Sequence, residues 1–275
     1  MKKTKEIISD KVAVVNQILP HTNKWAWDLF IDGAANNWMP TEISMAKDIE
    51  QWRSDLLTND EKLVVKRSLG FFAGSESLVA NNLLLSIFKY VTDPECRQYI
   101  LRQAYEESLH NLTVVYCCDS LGLKIEEVYE AYNSIPSIKS KDEFLMNICT
   151  DINRSDFNIN TLEGKREFLR NIITYYIICE GIFFFSGFAM LLSFNRQNKL
   201  PGVGEQIQYT LRDESLHIKF GTTLINRIRE DNPNPYEDTK NPFPWLSEII
   251  DLEKCKNFFE TRVTEYAVGN IEDDF

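Results

Sequence analysis

The chain carries only three histidines, His21, His110 and His217, and two of them close the same tetrapeptide: Glu107-Ser-Leu-His110 and Glu214-Ser-Leu-His217. On a helix, residues three apart share a face, so each Glu–His pair can hold one metal ion between a carboxylate and an imidazole. Asp and Glu make up 41 of 275 residues, which makes a glutamate three before two of three histidines roughly a few-per-cent coincidence. His21, beside Pro20, reads as an ordinary polar residue.

Each motif follows a carboxylate set in an apolar helix. Glu76 lies in SLGFFAGSESLVANNLLLSIF, 31 residues before Glu107, and Glu180 lies in YYIICEGIFFFSGF, 34 residues before Glu214. The two halves therefore repeat one pattern, a glutamate on one helix and Glu-x-x-His on the next. Four carboxylates and two imidazoles converging between four helices are the ligand set of a ferritin-like dinuclear metal-carboxylate site. In an apolar interior such carboxylates could not stay ionised unpaired, and two cations would supply the compensating charge. The alternative is that Glu76 and Glu180 face solvent or form buried ion pairs, but no Lys or Arg lies in the apolar stretch around Glu180. Oxygen-rich ligands with one imidazole per metal suit iron and manganese, whereas zinc usually takes more His or Cys in a tighter set. Such metals bind and reduce oxygen species, so the residues alone describe a redox protein.

The elements that must position these groups read as helices. Thr58-Asn-Asp-Glu61 is a capping box opening a helix to about Tyr90. Asp93-Pro94 opens another through about Ser120, with Gly122 marking its end. Shorter helices are expected near Ile125–Tyr132, broken by Pro136, and near Lys141–Asn153. A long one follows Asn160-Thr161 toward Phe194, with Gly181 and Gly187 as irregularities. Further helices span Gly204 to about Glu230 and Pro244 to about Glu265. Within the long one, Ile172 to Phe194 is apolar enough to resemble a membrane span, but Glu180 at its middle favours a buried central helix. The expected fold is all-α, a ferritin-like helical bundle over residues 1–265 followed by a short flexible tail, 266–275. With 11 Gly and 9 Pro, a many-turned all-β design is disfavoured.

Apolar residues at 44% and charged residues at 26% are those of an ordinary globular protein. A net charge of −11 without a basic cluster argues against nucleic acid as a partner. The opening MKKTKEIISD has no apolar run behind it and is not a secretory signal. Six cysteines (Cys96, Cys117, Cys118, Cys149, Cys179, Cys255) lack CxxC spacing and mostly sit in apolar helical segments, which suits a reducing cytoplasm. No membrane partner is expected.

The blocks KWAWDLFIDGAANNWMPTEI, FFAGSESLVANNL, EESLH, CEGIFFFSGFA, LRDESLH and FFETRVTEY occur in this order along nearly the whole chain. Together they make the sequence resemble the small, radical-generating subunit of class I ribonucleotide reductase. The resemblance implies a first metal bound by Glu76, Glu107 and His110 and a second bound by Glu180, Glu214 and His217, with Glu107 and Glu214 bridging. It implies that Trp38 passes an electron between cofactor and surface, that Asp213 links Trp38 to His110, and that Tyr266 relays the radical into a large catalytic subunit. Taken singly, Trp38 could be a core aromatic, Asp213 an orienting carboxylate and Tyr266 a packing residue.

One departure from the family matters. Most members carry a radical-forming tyrosine four residues after the first ligand histidine, where this chain has Val114. Tyr116 is two residues further and should point elsewhere on the helix. With Glu76 in place of the commoner aspartate, the chain resembles the tyrosine-independent branch, in which the metal pair itself stores the oxidising equivalent. That branch implies manganese/iron, with dimanganese or di-iron as alternatives. Tyr209 matches a tyrosine that works with Trp38 to deliver the activating electron in the manganese/iron form. Phe184 and Phe188, with Val114, would wall the cofactor with unreactive side chains, or serve as plain core packing. The acidic tail YAVGNIEDDF is expected to dock on the large subunit. A homodimer and an activating redox protein complete the implied partners. Two other classes remain: a related dimetal ligand-binding oxidase, which has no need of the Trp38 and Tyr266 relay, and an iron-storage bundle, which would lack both the relay and the tail.

Overall fold

Capping chemistry sets the helix boundaries. In the computed structural model, which describes residues 6–11 and 15–232, Thr58 and Glu61 exchange the reciprocal bonds of a capping box: Glu61 N donates to Thr58 Oγ1 at 3.2 Å and Thr58 N to Glu61 Oε2 at 2.8 Å. The helix behind them, α3, runs Asn59–Tyr90. Before it lie α1 (Lys24–Ala35) and α2 (Ala46–Arg53), neither of which the sequence pattern indicated. Asp93 caps α4 (Pro94–Leu121) by accepting from Cys96 N at 3.0 Å, and Gly122 closes it with φ 65°, a left-handed angle that glycine adopts without strain.

The following segment differs in detail from expectation. It forms α5 (Ile125–Tyr129), α6 (Ala131–Ser134) and α7 (Pro136–Asp151). Pro136 starts α7 rather than only breaking what precedes it, because proline's missing N–H is no loss in a first helical turn. Thr161 Oγ1 accepts from Gly164 N at 3.0 Å and opens α8, Leu162–Asn195. The last described helix, α9 (Pro201–Asp231), begins three residues earlier than Gly204. The reason is tertiary: buried Asp48 on α2 accepts from Gly202 N and Val203 N at 2.7 and 2.8 Å and caps α9 from outside its own sequence. The helix expected at Pro244–Glu265, the tail boundary at 265/266 and Cys255 lie outside the described residues.

Helices α3 and α4 pack together, as do α8 and α9, and the two pairs meet through α3 with α8 and α4 with α9. Helix α1 covers α4, and α5 to α7 cover α3. Both α3 and α8 are long and apolar enough to cross a membrane by length and composition, yet 56% and 50% of their apolar windows are buried by the protein itself. Helix α8 is π-helical over Thr174–Phe184, which includes Gly181 but ends before Gly187; α3 has a shorter π turn at Leu83–Ile87. Such widened turns are frequent at functional sites. Cys96, Cys117, Cys118 and Cys179 are buried, and burial pushes the Cys118 thiol up to about 11, so they act as small apolar groups.

Candidate metal centre

Helix α3 contributes Glu76, α4 contributes Glu107 and His110, α8 contributes Glu180, and α9 contributes Glu214 and His217; none of these is more than 1% exposed. Potential ligand atoms of Glu76, Glu107, His110 and Glu214 lie within 4.8 Å of one another, and so do those of Glu107, Glu180 and His217. Glu107 and Glu214 stand between the two imidazoles. Glu107 Oε2 is 3.4 Å from His110 Nδ1, and its Oε1 is 3.4 Å from His217 Nδ1. Glu214 repeats this at 3.1 Å on each side, through Oε1 and Oε2. Each carboxylate thus turns one oxygen to each half, the arrangement a bridging ligand requires.

The polar atoms here fit a metal pair better than they fit one another. Glu76 Oε2, Glu107 Oε2, Glu180 Oε2, Glu214 Oε1 and both His110 ring nitrogens are buried without a hydrogen-bond partner. Such orphans are rare in native interiors and point to an ion. Four carboxylates over the two positions, with one imidazole nitrogen to each, make an oxygen-rich donor set for a dinuclear metal site. The electrostatics agree. Burial raises Glu76 to about 8 and pushes Glu180 well up, with Glu214 and Glu107 adding to the rise at Glu180. Burial acts the same way on Glu214, but the charges and hydrogen bonds of His217 and His110 prevail and hold it at about 2. Burial opposes charging of the imidazoles, yet the surrounding carboxylates raise both His110 and His217. Without metal, the cluster therefore holds its charge balance with protons.

Beyond His110, Asp213 Oδ2 lies 3.5 Å from Nε2 and accepts from Trp38 Nε1 at 2.7 Å. The Trp38 and Tyr209 rings stack at 5.2 Å, and the Arg212 guanidinium sits 4.9 Å from the Tyr209 ring. Arg212 also donates to the Asn36 carbonyl and lies 3.4 Å from Asp213. The expected chain from His110 through Asp213 to Trp38, with Tyr209 alongside, is thus contiguous in space.

Tyr116 points away from the cluster, as its spacing implies, and donates to the Ile43 carbonyl at 3.1 Å. Val114 is buried at 3% exposure. Phe184 and Phe188 are fully buried against Phe72, one turn before Glu76; Phe188 stacks on that ring at 5.1 Å and Phe184 meets it edge-on at 5.6 Å. Tyr266 and the tail lie outside the described residues.

Several groups at the site had no expectation attached. Gln103 Nε2 reaches Glu180 Oε1 at 2.9 Å, Glu107 Oε1 at 3.2 Å and the Tyr175 hydroxyl at 3.2 Å, while its Oε1 accepts from the Tyr176 hydroxyl at 3.1 Å. Glu106 Oε2 lies 2.8 Å from His217 Nε2. Gln103 sits one turn before Glu107, a spacing that marks a shared face. For Glu106 the signal was the acid directly preceding each Glu-Ser-Leu-His.

Comparison with known proteins agrees with this geometry. Residues 15–260 match the family model described as ribonucleotide reductase, small chain. The ribonucleoside-diphosphate reductase subunit beta of Chlamydia pneumoniae is 45% identical over an alignment covering 94% of this chain and 92% of that protein. The ribonucleotide reductase R2 subunit from Clostridium botulinum superposes with a TM-score of 0.73 at 23% identity, covering 100% of this chain and 84% of the other, a likeness of fold. An R2-like ligand-binding oxidase from Sulfolobus acidocaldarius has a TM-score of 0.65 at 25% identity, covering 77% and 75%. A carboxylate-and-imidazole cluster inside a bundle matched over most of its length by one family makes this chain a member of the ribonucleotide reductase small-chain family.

Proposed function

We propose that the chain initiates ribonucleotide reduction from its metal pair without a stored tyrosyl radical. Its activity is that of the small subunit of a ribonucleoside-diphosphate reductase, with a large subunit as partner. The observation that carries the finer reading is Val114: the position one turn after His110 has no oxidisable ring, and Tyr116 is bonded away at Ile43.

In this reading Glu76, Glu107 and His110 would hold the first metal and Glu180, Glu214 and His217 the second, with Glu107 and Glu214 available to both. The pair, manganese/iron with dimanganese or di-iron as the other compositions, would supply the one-electron oxidising equivalent when bound. The protein's part is to hold and connect. Asp213 faces His110 Nε2 at 3.5 Å and accepts from the Trp38 indole at 2.7 Å, so the imidazole and the indole lie along one short chain of contacts. Tyr209, stacked on Trp38, extends that chain. Tyr266 and the acidic tail are assigned to radical transfer into, and docking on, the large subunit. Val114, Phe184 and Phe188 offer no oxidisable ring. Half-exposed Leu101, Tyr105 and Leu112 on α4 support a homodimer, since a second copy would cover them. Buried thiols at Cys96, Cys117 and Cys118 suit a cytoplasmic setting, where an activating redox protein would also act. The Trp38–Asp213–His110 chain favours the reductase over the related ligand-binding oxidase.

A second reading rests on Tyr175, whose hydroxyl lies 3.5 Å from Glu107 Oε1 and could itself be oxidised. Electron paramagnetic resonance of the active protein, assayed with its large subunit, separates the two. The first reading expects no tyrosyl doublet. A doublet that scales with deoxynucleotide production and disappears in Tyr175→Phe would establish the second.

A further inference from the structure

The sequence repeat is one residue longer than the metal ligands require: Glu106-Glu107-Ser-Leu-His110 and Asp213-Glu214-Ser-Leu-His217. In space the leading acids are exchanged. Asp213, from the second motif, faces Nε2 of His110, and Glu106, from the first motif, faces Nε2 of His217. We propose that Glu106 is the positioning residue for the second metal, fixing His217 so that Nδ1 is presented to the ion, and that Arg102 and Gly33 hold Glu106 in place. This rests on the ligand assignment above.

A carboxylate only accepts hydrogen bonds, and a neutral imidazole has a single N–H. Once a metal takes the place of the second ring proton, the 2.8 Å contact between Glu106 Oε2 and His217 Nε2 keeps the remaining hydrogen on Nε2. The lone pair is left on Nδ1, which lies 3.1 Å from Glu214 Oε2 and 3.4 Å from Glu107 Oε1, among the other donors. Metal-bound histidines commonly depend on such an outer acceptor for ring orientation and tautomer. Glu106 is itself held. Its other oxygen accepts from Arg102 Nε at 2.8 Å, and the side chains are 0% and 10% exposed, so the guanidinium supplies the charge that a buried carboxylate needs. Arg102 also donates to Asn37 Oδ1 at 3.1 Å, directly before Trp38. The outer contacts of both halves thus end on the same short segment, Asn37-Trp38.

Gly33 on α1 gives independent support. A Cβ there would stand 3.2 Å from Arg102 Cγ and 3.2 Å from Glu106 Oε1. The glycine leaves the room in which this ion pair sits, and a methyl group would press on both partners.

The test is binding of manganese(II) alone, without oxygen, to the whole chain. Titration is followed by electron paramagnetic resonance, and anomalous diffraction at the manganese edge reads each position in crystals. Glu106→Gln keeps size but replaces an acceptor with an amide that cannot satisfy Arg102 and His217 together. It should lose about tenfold or more in affinity at the second position while the first is unchanged, in line with the usual effect of removing an outer partner. Asp213→Asn should give the mirror result, and Gly33→Ala a smaller loss at the second position. Unchanged second-position binding in Glu106→Gln, or equal loss at both positions, overturns the proposal. If Glu106→Gln does not fold, Gly33→Ala decides: a folded Gly33→Ala protein with wild-type affinity at the second position overturns it as well. Wild-type protein that binds no manganese at these residues would refute the ligand assignment instead.

Discussion

Around His110, the carboxylate beyond the imidazole is Asp213, and Asp213 ends on the Trp38 indole; around His217 it is Glu106, and Glu106 ends on the Arg102 guanidinium. The inner groups of the two halves are alike, a terminal glutamate and a histidine with shared Glu107 and Glu214. What separates them is the next layer. One half leads to a neutral, electron-rich ring stacked on Tyr209, and the other to a fixed cation and to the amide and phenols of Gln103, Tyr175 and Tyr176. A symmetric donor set can thus acquire different duties from its outer contacts: under the proposed reading the His110 half would serve as a conduit and the His217 half as an anchor.

The largest effect should come from removing what the halves share. Glu107→Ala or Glu214→Ala takes a donor from both positions and should abolish dinuclear loading and activity together. Metal analysis of purified protein checks this, and full two-metal occupancy in either variant would falsify the bridging assignment. Next is a change that ought to affect only one half. Trp38→Phe should leave metal content near wild type yet bring deoxynucleotide production to background, because phenylalanine is far harder to oxidise than tryptophan. Normal turnover would remove Trp38 from the route.

The pH dependence of the metal-free protein is a subtler probe. Glu76 has its folded value raised to about 8 from an ordinary 4.5, so between these values the folded state holds a proton that the unfolded state does not. His110 and His217 are also raised in the fold, and their contribution is complete below about 6.5 and is lost as pH climbs through their folded values. All three act in one direction: stability should fall as pH rises from 6.5 past 8. Glu214, held at about 2, contributes stability present above 4.5 that is lost only on strong acidification. Bound metal replaces the protons, so the fall should vanish in the loaded protein, and apparent metal affinity should itself rise with pH. Thermal melts of both forms across this range give the answer, and parallel curves would contradict it. The smallest expected effect is Gln103→Leu. It leaves the Tyr176 hydroxyl without its acceptor and should cost about 1–3 kcal/mol. Denaturant unfolding should show this loss, with any change in metal binding confined to the Glu180 side.

The capping signals at Thr58, Asp93 and Thr161 and the stop at Gly122 were legible because each is a local contact over three or four residues. Helices α1 and α2 were not, although Asp48 and Gln51 on α2 set where α9 begins: Gln51 Oε1 accepts from Leu200 N at 2.6 Å, beside the two Asp48 bonds. Nothing near Pro201 in sequence reveals a cap that lies about 150 residues away.

The same division runs through the site. The sequence by itself determined which residues are available as ligands and that each Glu–His pair shares a face, because a spacing of three on a helix is a local geometric fact. It also placed carboxylates in apolar helices, where they need a compensating charge. Only the tertiary structure decided which acid stands behind which histidine. Asp213 reaches Trp38 across 175 residues, and Glu106 reaches His217 across 111. Those pairings depend on how α4 and α9 lie against each other and on which rotamers their packing allows, and no periodicity within a single helix encodes either.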